Sequence, residues 1–385
     1  MRMLDVPTRP AATTQVVMLD PATAAVDWER LCQETSAAPF HRPGWHLRWA
    51  DAFAPGRLRV LLGREDGRVV AALPVIVGRP LTRAPVNGHT PEFAVVAVDA
   101  ASRRRLLADV VGRTSRGLVL DQLQLGEQEA AELDWALASR VRHLDLGPAC
   151  QTVATDVSGS WNEFLATMRP DRRRELRRSL DRTARHGRVG LGIHRDERDL
   201  PGLLADCLAV EAAGWKGREG TAIVSHPATR RFYERMVAWA AVQGWLELRT
   251  LRLDGRLAAI QIALRHDGVL YLLKTGYDER FAVAAPGKAL QHEIVRDGFA
   301  DPGLSRIEWL GDEGELKRVL GTRSRTLYRL AAHPGGPAGS LTHLASSSAR
   351  RSGDWARSHL PPTVRARLRA ARARVQGRPP GGGHV

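Results

Sequence analysis

At 385 residues and 43% hydrophobic, the chain can bury one or two sizeable cores, and ordinary domain size favours two domains plus a tail. No apolar stretch is long enough to cross a bilayer, and residues 1–20 carry no apolar block ending in a small-residue cleavage site, so a cytoplasmic protein is expected. The net charge of +15 raises nucleic acid or an anionic membrane as partners, while Cys32, Cys150 and Cys207, scattered without CxxC spacing, argue against a disulfide framework or a zinc site.

In chain order, a strand is expected over 15–19 and helices near 27–35 and 43–53. Residues 58–77 (LRVLLGREDGRVVAALPVIV) alternate apolar positions on both sides of Asp66-Gly67, which supplies the positive φ angles of a tight two-residue turn, so a hairpin belongs here. Helices near 101–112 and 127–139 complete an α+β first domain, 1–155.

From 156 to 333 the signals are denser. Ser160 and Glu163 have capping-box spacing ahead of a short helix. Pro170 opens an Arg-rich helix stopped by Gly187, whose Asp171, Glu175 and Asp181 offset only part of the positive charge. A solvated basic helix is the plain reading. A strand at 189–194 and helices at 200–213 and 227–242 follow. Residues 246–265 (LELRTLRLDGRLAAIQIALR) then repeat the first hairpin, with Asp254-Gly255-Arg256 aligned on Asp66-Gly67-Arg68, which points to an internal duplication. Asp267-Gly268 turns into a third antiparallel strand, 269–276. That strand runs through Tyr277-Asp278 and a loop into a helix over 288–299, and strands at 305–310 and 325–332 close the domain. Residues 334–385 are rich in Gly, Pro, Ser and Arg and read as a flexible basic tail with a helix at 363–375. Between residues 350 and 378, nine arginines face only Asp354, a local excess of +8.

Of 57 basic residues only four are lysines: Lys216, Lys274, Lys288 and Lys317, all within the second domain. An ammonium is a compact, titratable cation where a guanidinium is neither, so this placement marks the lysines as candidates for function. The ordered run Gly214-Trp215-Lys216-Gly217, Phe232-Tyr233, Leu253-Asp254-Gly255-Arg256-Leu257-Ala258-Ala259, Lys274-Thr275-Gly276-Tyr277-Asp278, Ala285-Pro286-Gly287-Lys288-Ala289-Leu290, then Gly311-Asp312-Glu313 with Lys317, resembles the BioF2-like branch of the GNAT acetyltransferases. That branch includes proteins associated with bacterial cellulose and exopolysaccharide biosynthesis. The resemblance covers 156–333 strongly and the first domain faintly.

The resemblance implies two tandem GNAT-like domains, each a mixed, mostly antiparallel sheet flanked by helices, the first a degenerate copy and the second active. It implies acetyl-CoA, or another acyl-CoA, as co-substrate, and no metal. In that fold the pantetheine arm pairs with the exposed edge of a splayed central strand, here Lys274, Thr275 and Gly276. The CoA pyrophosphate meets the next helix N-terminus, here Pro286, Gly287, Lys288 and Ala289. The usual GNAT phosphate motif, Gln/Arg-x-x-Gly-x-Gly/Ala, is not matched, so this turn departs from the family pattern. Asp278 stands where a base would act and Tyr277 where a proton donor to the thiolate would; a strand-end turn capped by an aspartate is the structural alternative. Glu211 is a third catalytic candidate, against a solvated helix glutamate. Trp215 and Lys216 suit a sugar or carboxylate acceptor, against a tryptophan packed over the core. Asp312, Glu313 and Lys317 suit substrate contact, against a buried salt-bridge network. His89, in a first-domain loop, is more readily structural than catalytic.

The expected activity is N- or O-acylation, acetyl foremost, of a cell-envelope or exopolysaccharide sugar or a small amine. Two alternatives stand beside it: a Fem-like peptidyltransferase drawing on aminoacyl-tRNA, and a non-catalytic scaffold whose Arg-rich tail contacts anionic membrane or nucleic acid. No obligate protein partner is indicated.

Overall fold

The computed structural model describes residues 14–115, 117–195, 198–311, 315–337, 339–344 and 347. The first half runs β1 (Gln15–Leu19), α1 (Pro21–Glu34), α2 (Pro43–Phe53), β2 (Leu58–Glu65), β3 (Arg68–Ile76), β4 (Leu81–Arg83), β5 (Val96–Ala97), α3 (Ala100–Arg113), β6 (Gly117–Gln124), α4 (Glu127–Ala138) and β7 (His143–Asp156). Asp20 and Asp99 start α1 and α3 by accepting the backbone N–H groups of Ala22 and Ser102. The second half runs α5 (Trp161–Thr167), α6 (Pro170–Arg185), β8 (Val189–His194), α7 (Leu200–Ala212), α8 (Trp215–Arg218), α9 (Pro227–Val242), β9 (Leu246–Leu253), β10 (Arg256–His266), β11 (Val269–Tyr277), α10 (Pro286–Ala300), β12 (Arg306–Glu308), α11 (Glu315–Leu320) and β13 (Arg323–His333). The Ser160–Glu163 capping box forms in full. All three Asp-Gly turns carry positive φ at both residues.

The strands form one sheet in the order β1-β2-β3-β4-β6-β13-β7-β12-β11-β10-β9-β8. Its two halves repeat one pattern: a meander of antiparallel strands ends in a strand paired in parallel across a gap, β4 with β6 and β11 with β12. The halves then exchange strands. β13, last in sequence, lies between β6 and β7, and β7 lies between β13 and β12. Each half therefore completes the other's sheet. β6 and β7 are not among the elements expected from the sequence; β7 is buried only over 152–155, so no apolar alternation runs along it.

The cores are shared in the same way. Trp45 and Trp49 of α2 belong to one apolar cluster with Phe232, Met236 and Val237 of α9 and with Leu248 and Ile260 of the second-half sheet. Trp45 meets Phe232 edge to face, ring centroids 5.2 Å apart. α2 and α9 approach so closely that a Cβ at Gly44 would lie 2.3 Å from Trp239 Nε1. Cys32 and Cys207 are buried and Cys150 is half-buried. Residues 339–344, the start of the expected tail, are helical and dock on the ends of β7 and β13, where His343 stacks on His143 and the Thr342 hydroxyl meets His333 Nδ1 at 3.0 Å. The helix expected at 363–375 and the arginines beyond residue 347 lie outside the described residues. Among the described residues, no helix is long and apolar enough to cross a membrane.

Candidate active site

β11 pairs with β12 only through Val269–Arg306, Leu270–Ile307 and Tyr271–Glu308, whereas its pairing with β10 continues to Tyr277. Past Tyr271 the two parallel strands diverge. The cause lies in β12, which ends after three residues: the Trp309 N–H bonds the Val153 carbonyl of β7, the Trp309 indole donates to Thr155 Oγ1 at 2.8 Å, and Leu310 and Gly311 turn away with positive φ. The β12 side of residues 272–277 thus has no strand partner among the described residues.

A β-bulge decides which side chains face this gap. The β10–β11 register shifts between Ile262 and Ala263, so Ile262 opposes Lys274 and Ala263 opposes Leu272, with Leu273 as the extra residue. Without the bulge Lys274 would share a face with Leu270 and Leu272, in the cluster packed under α10. With it, Lys274 and Gly276 face α7 instead, alongside Ile260 and Ile262. A Cβ at Gly276 would stand 2.8 Å from Glu211 Cα, so glycine here lets the last turn of α7 rest on the strand.

That contact delivers Glu211. Its side chain is fully buried, Oε2 accepting the Ile223 N–H at 2.9 Å and Oε1 lying 3.2 Å from Lys216 Nζ. Lys216 also donates to the Thr275 carbonyl at 2.7 Å, tying α8 to the strand beside the gap. Burial, and then the Lys216 charge, lower the Lys274 ammonium to about 8, with Glu211 opposing. From the first half, the loop after β4 brings His89 to the same place. Its ring stacks on Phe53, meets Tyr233 edge to face, and has Nε2 3.5 Å from Thr229 Oγ1. Burial holds this imidazole neutral, down to about 3, with Lys274, His226 and Lys216 pushing the same way. Burial and Glu211 raise the Tyr233 phenol.

The turn into α10 has its own geometry. Ala285 caps the helix with a left-handed φ of 53°, and no side chain caps the first turn. Pro286 has no N–H, and the Lys288 and Ala289 N–H groups bond back to the Ala285 carbonyl, so the Gly287 N–H is the donor of that turn left pointing outward among the described bonds. Lys288 is exposed at the same end. The Tyr277 ring lies against Gly287, 3.4 Å from where a Cβ would be.

The other expected site residues divide. Asp278 is buried but engaged: it accepts the Arg280 N–H at 2.9 Å and pairs with the Arg280 guanidinium, which holds its carboxyl below the usual range against the effect of burial. That is the capping geometry named above as the alternative. Lys317 donates to the Leu310 carbonyl at 2.6 Å. Trp215 opens α8; its side chain, like Asp312 and Glu313 altogether, lies outside the described residues. The structure therefore brings Glu211, Lys216, Lys274, Thr275 and Gly276 together, and Tyr277 with Pro286, Gly287, Lys288 and Ala289. His89, Thr229 and Tyr233 join the first group; of these, Tyr233 lies in the Phe232-Tyr233 motif and His89 reads as structural, while nothing in the sequence marks Thr229. Among the described residues, no group of His, Cys, Asp and Glu side chains is arranged to hold a metal ion.

Residues 170–318 match the family model described as the acetyltransferase (GNAT) domain. No curated protein matches the sequence. Among solved structures, the C-terminal domain of a protein described as a lysylphosphatidylglycerol synthetase, from Agrobacterium fabrum, is similar at a TM-score of 0.55 and 12% identity, over 85% of this chain and 97% of that one. FemX is similar at a TM-score of 0.54 and 11% identity, over 82% of this chain and 96% of that one. At these identities the likeness is one of fold: a mixed, helix-flanked GNAT-like sheet.

Proposed function

We propose that the chain transfers an acyl group from acyl-CoA, acetyl foremost, to an amine or hydroxyl of a small acceptor, the expected class being a cell-envelope or exopolysaccharide sugar. The observation that carries this reading is the open edge of β11 leading, through the short turn Glu279–Ala284, to the N-terminus of α10. The amide groups of a pantetheine arm pair along Lys274–Gly276, and the pyrophosphate meets the Gly287 N–H and the Lys288 ammonium. The GNAT-domain match over 170–318 supports the same reading.

The acceptor then enters from the α7 side, between Lys274, the Glu211–Lys216 pair and His89. Lys274 is the general base. Its ammonium, lowered to about 8, is the cation of the cluster tuned nearest neutrality, whereas Asp278 is held by Arg280. The acceptor nitrogen or oxygen bonds to the thioester carbonyl carbon as its proton passes to the Lys274 amine. The carbonyl oxygen becomes an oxyanion facing strand N–H groups, the C–S bond breaks, and the departing thiolate takes a proton from the Tyr277 hydroxyl, which regains one from solvent. Glu211 fixes Lys216, and through it the Thr275 carbonyl, at the edge where the thioester lies.

Calorimetry with acetyl-CoA on the wild type and on Gly287→Glu tests the donor. Saturable micromolar binding that the variant loses supports the reading. A folded protein that binds no CoA overturns it and leaves an aminoacyl ester on tRNA as the donor, or a non-catalytic scaffold.

A further inference from the structure

The sheet ends at β8, and its outer face is unusual. Val189, Leu191 and Ile193 point to one side, 38%, 47% and 47% exposed, while Gly190, Gly192 and His194 point to the other. The β8–β9 register puts the aliphatic row opposite Leu253, Leu251 and Arg249, on the face of the sheet that carries α10. Among the described residues nothing covers it. A row of β-branched and leucine side chains standing in water at a sheet edge is costly and invites a partner.

The chain immediately before this row is α6, on the same side of the sheet: its Thr183 hydroxyl bonds the Ala284 carbonyl just ahead of α10, beside Val283, which is 72% exposed. Leu176, Leu180 and Thr183 form the inward face of α6. At roughly 100° per residue, Arg174, Arg178, Arg182 and Arg185 fall on the opposite, outward face, all exposed, and Arg188 continues the line into β8. Asp297 and Asp301, beyond the far end of the row, are paired with Arg249 and Arg265, and Asp171 with Arg169; Asp181, which shares the outward face of α6, offsets one of the arginine charges and leaves the stripe net positive.

We infer that α6 and β8 together form a docking surface for an anionic phospholipid membrane, with the arginines meeting lipid phosphates and Leu191, Ile193 and Val283 entering the headgroup boundary. The pairing of the two features favours lipid over RNA. A polyanion alone accounts for the arginine stripe, whereas only a medium with an apolar interior also takes up an aliphatic row. Arginine stems suit this boundary because their methylenes lie in the apolar layer while the guanidinium stays hydrated. The inference goes beyond the acyltransferase reading and does not depend on it.

Co-sedimentation of the full chain with vesicles tests it, using phosphatidylcholine alone and phosphatidylcholine mixed with phosphatidylglycerol. The expected result is salt-sensitive binding to the mixed vesicles only. Leu191→Glu with Ile193→Glu, and separately Arg178→Glu with Arg182→Glu, are each expected to lower partition at least roughly tenfold, with circular dichroism and Tm unchanged. Binding undiminished in both folded variants assigns it elsewhere in the chain, the basic tail included, and overturns the inference. So does equal binding to both vesicle types. Absence of vesicle binding together with RNA binding lost only in the arginine variant overturns it in favour of RNA. A dimer in sedimentation velocity that Leu191→Glu dissolves, with no vesicle binding, overturns it in favour of a second copy of the chain.

Discussion

Lys216 holds its ammonium 3.2 Å from Glu211 Oε1, and the glutamate side chain has no exposed surface. A carboxylate so placed depends on its cation. Lys216→Met leaves Glu211 with the Ile223 N–H as its hydrogen bond and only the more distant Lys274 charge, and is expected to cost about 3 kcal/mol of stability in urea denaturation. Adding Glu211→Gln removes the stranded charge, so the double variant recovers part of that loss. Equal stability of the single and double variants would mean that the pair is not coupled.

Lys274 yields a pH prediction of defined sign. As a base it acts when neutral, so kcat/KM rises as pH increases through about 8 and then levels. Lys274→Arg, charged at every accessible pH, removes the inflection and lowers the rate on the order of 100-fold or more. Stability follows from the same shift. Between about 8 and the ordinary 10.5 the unfolded chain binds the proton that the folded chain has shed, so wild-type stability rises with pH across that window. Lys274→Met lacks the group. At neutral pH it is expected to be more stable than the wild type by on the order of 2 kcal/mol, a gain that shrinks as pH climbs to 10.5. A flat difference between the two proteins across that range would exclude a buried, desolvated Lys274.

The hairpins, the capping box at Ser160 and the order of elements in the second half were legible because each rests on local chemistry: Asp-Gly turns, a side chain reaching a backbone N–H three residues on, a proline opening a helix. The site was legible in part. Glu211, Lys216 and Lys274 stood out as residues, but their meeting depends on a bulge at Leu273 that shifts the register of β11, and nothing in the alternation of 269–277 announces it. Asp278 looked like a base because it follows the strand; the Arg280 side chain that engages it is only two residues away and reads as an ordinary surface arginine. His89 reaches the cluster across the two halves, a relation between distant segments that a single sequence does not carry.

Gly276 sets the distance between β11 and α7. A methyl group there would lie 2.8 Å from Glu211 Cα and 3.0 Å from its Cβ, and backbone cannot swing aside as a flexible side-chain end can. Gly276→Ala is therefore expected to push α7 off the strand, cost about 1–3 kcal/mol, and lower turnover by misplacing Glu211 and Lys216. Gly287→Ala is the control: its Cβ would meet the Tyr277 ring at 3.4 Å, an ordinary contact, so its Tm should stay near the wild-type value. Identical thermal unfolding of the two variants would show that the α7–β11 approach tolerates a side chain.

The exchanged strands bear on whether the two halves fold apart. Cutting the chain between 156 and 161 separates β13 from the gap between β6 and β7, and separates β7 from the gap between β12 and β13. Each fragment then presents unpaired strand edges, and each loses one side of the α2–α9 core in which Trp45 packs on Phe232. Burial of a single large aromatic side chain contributes about 2–3 kcal/mol, and several are lost at once against a typical total stability of about 5–15 kcal/mol. Either fragment expressed alone is expected to aggregate or to give a collapsed amide spectrum, while the two expressed together should co-purify and regain the far-UV dichroism of the intact chain. A dispersed spectrum and a cooperative melt from one fragment alone would mean that the duplicated halves stand independently and that the exchange contributes little to folding.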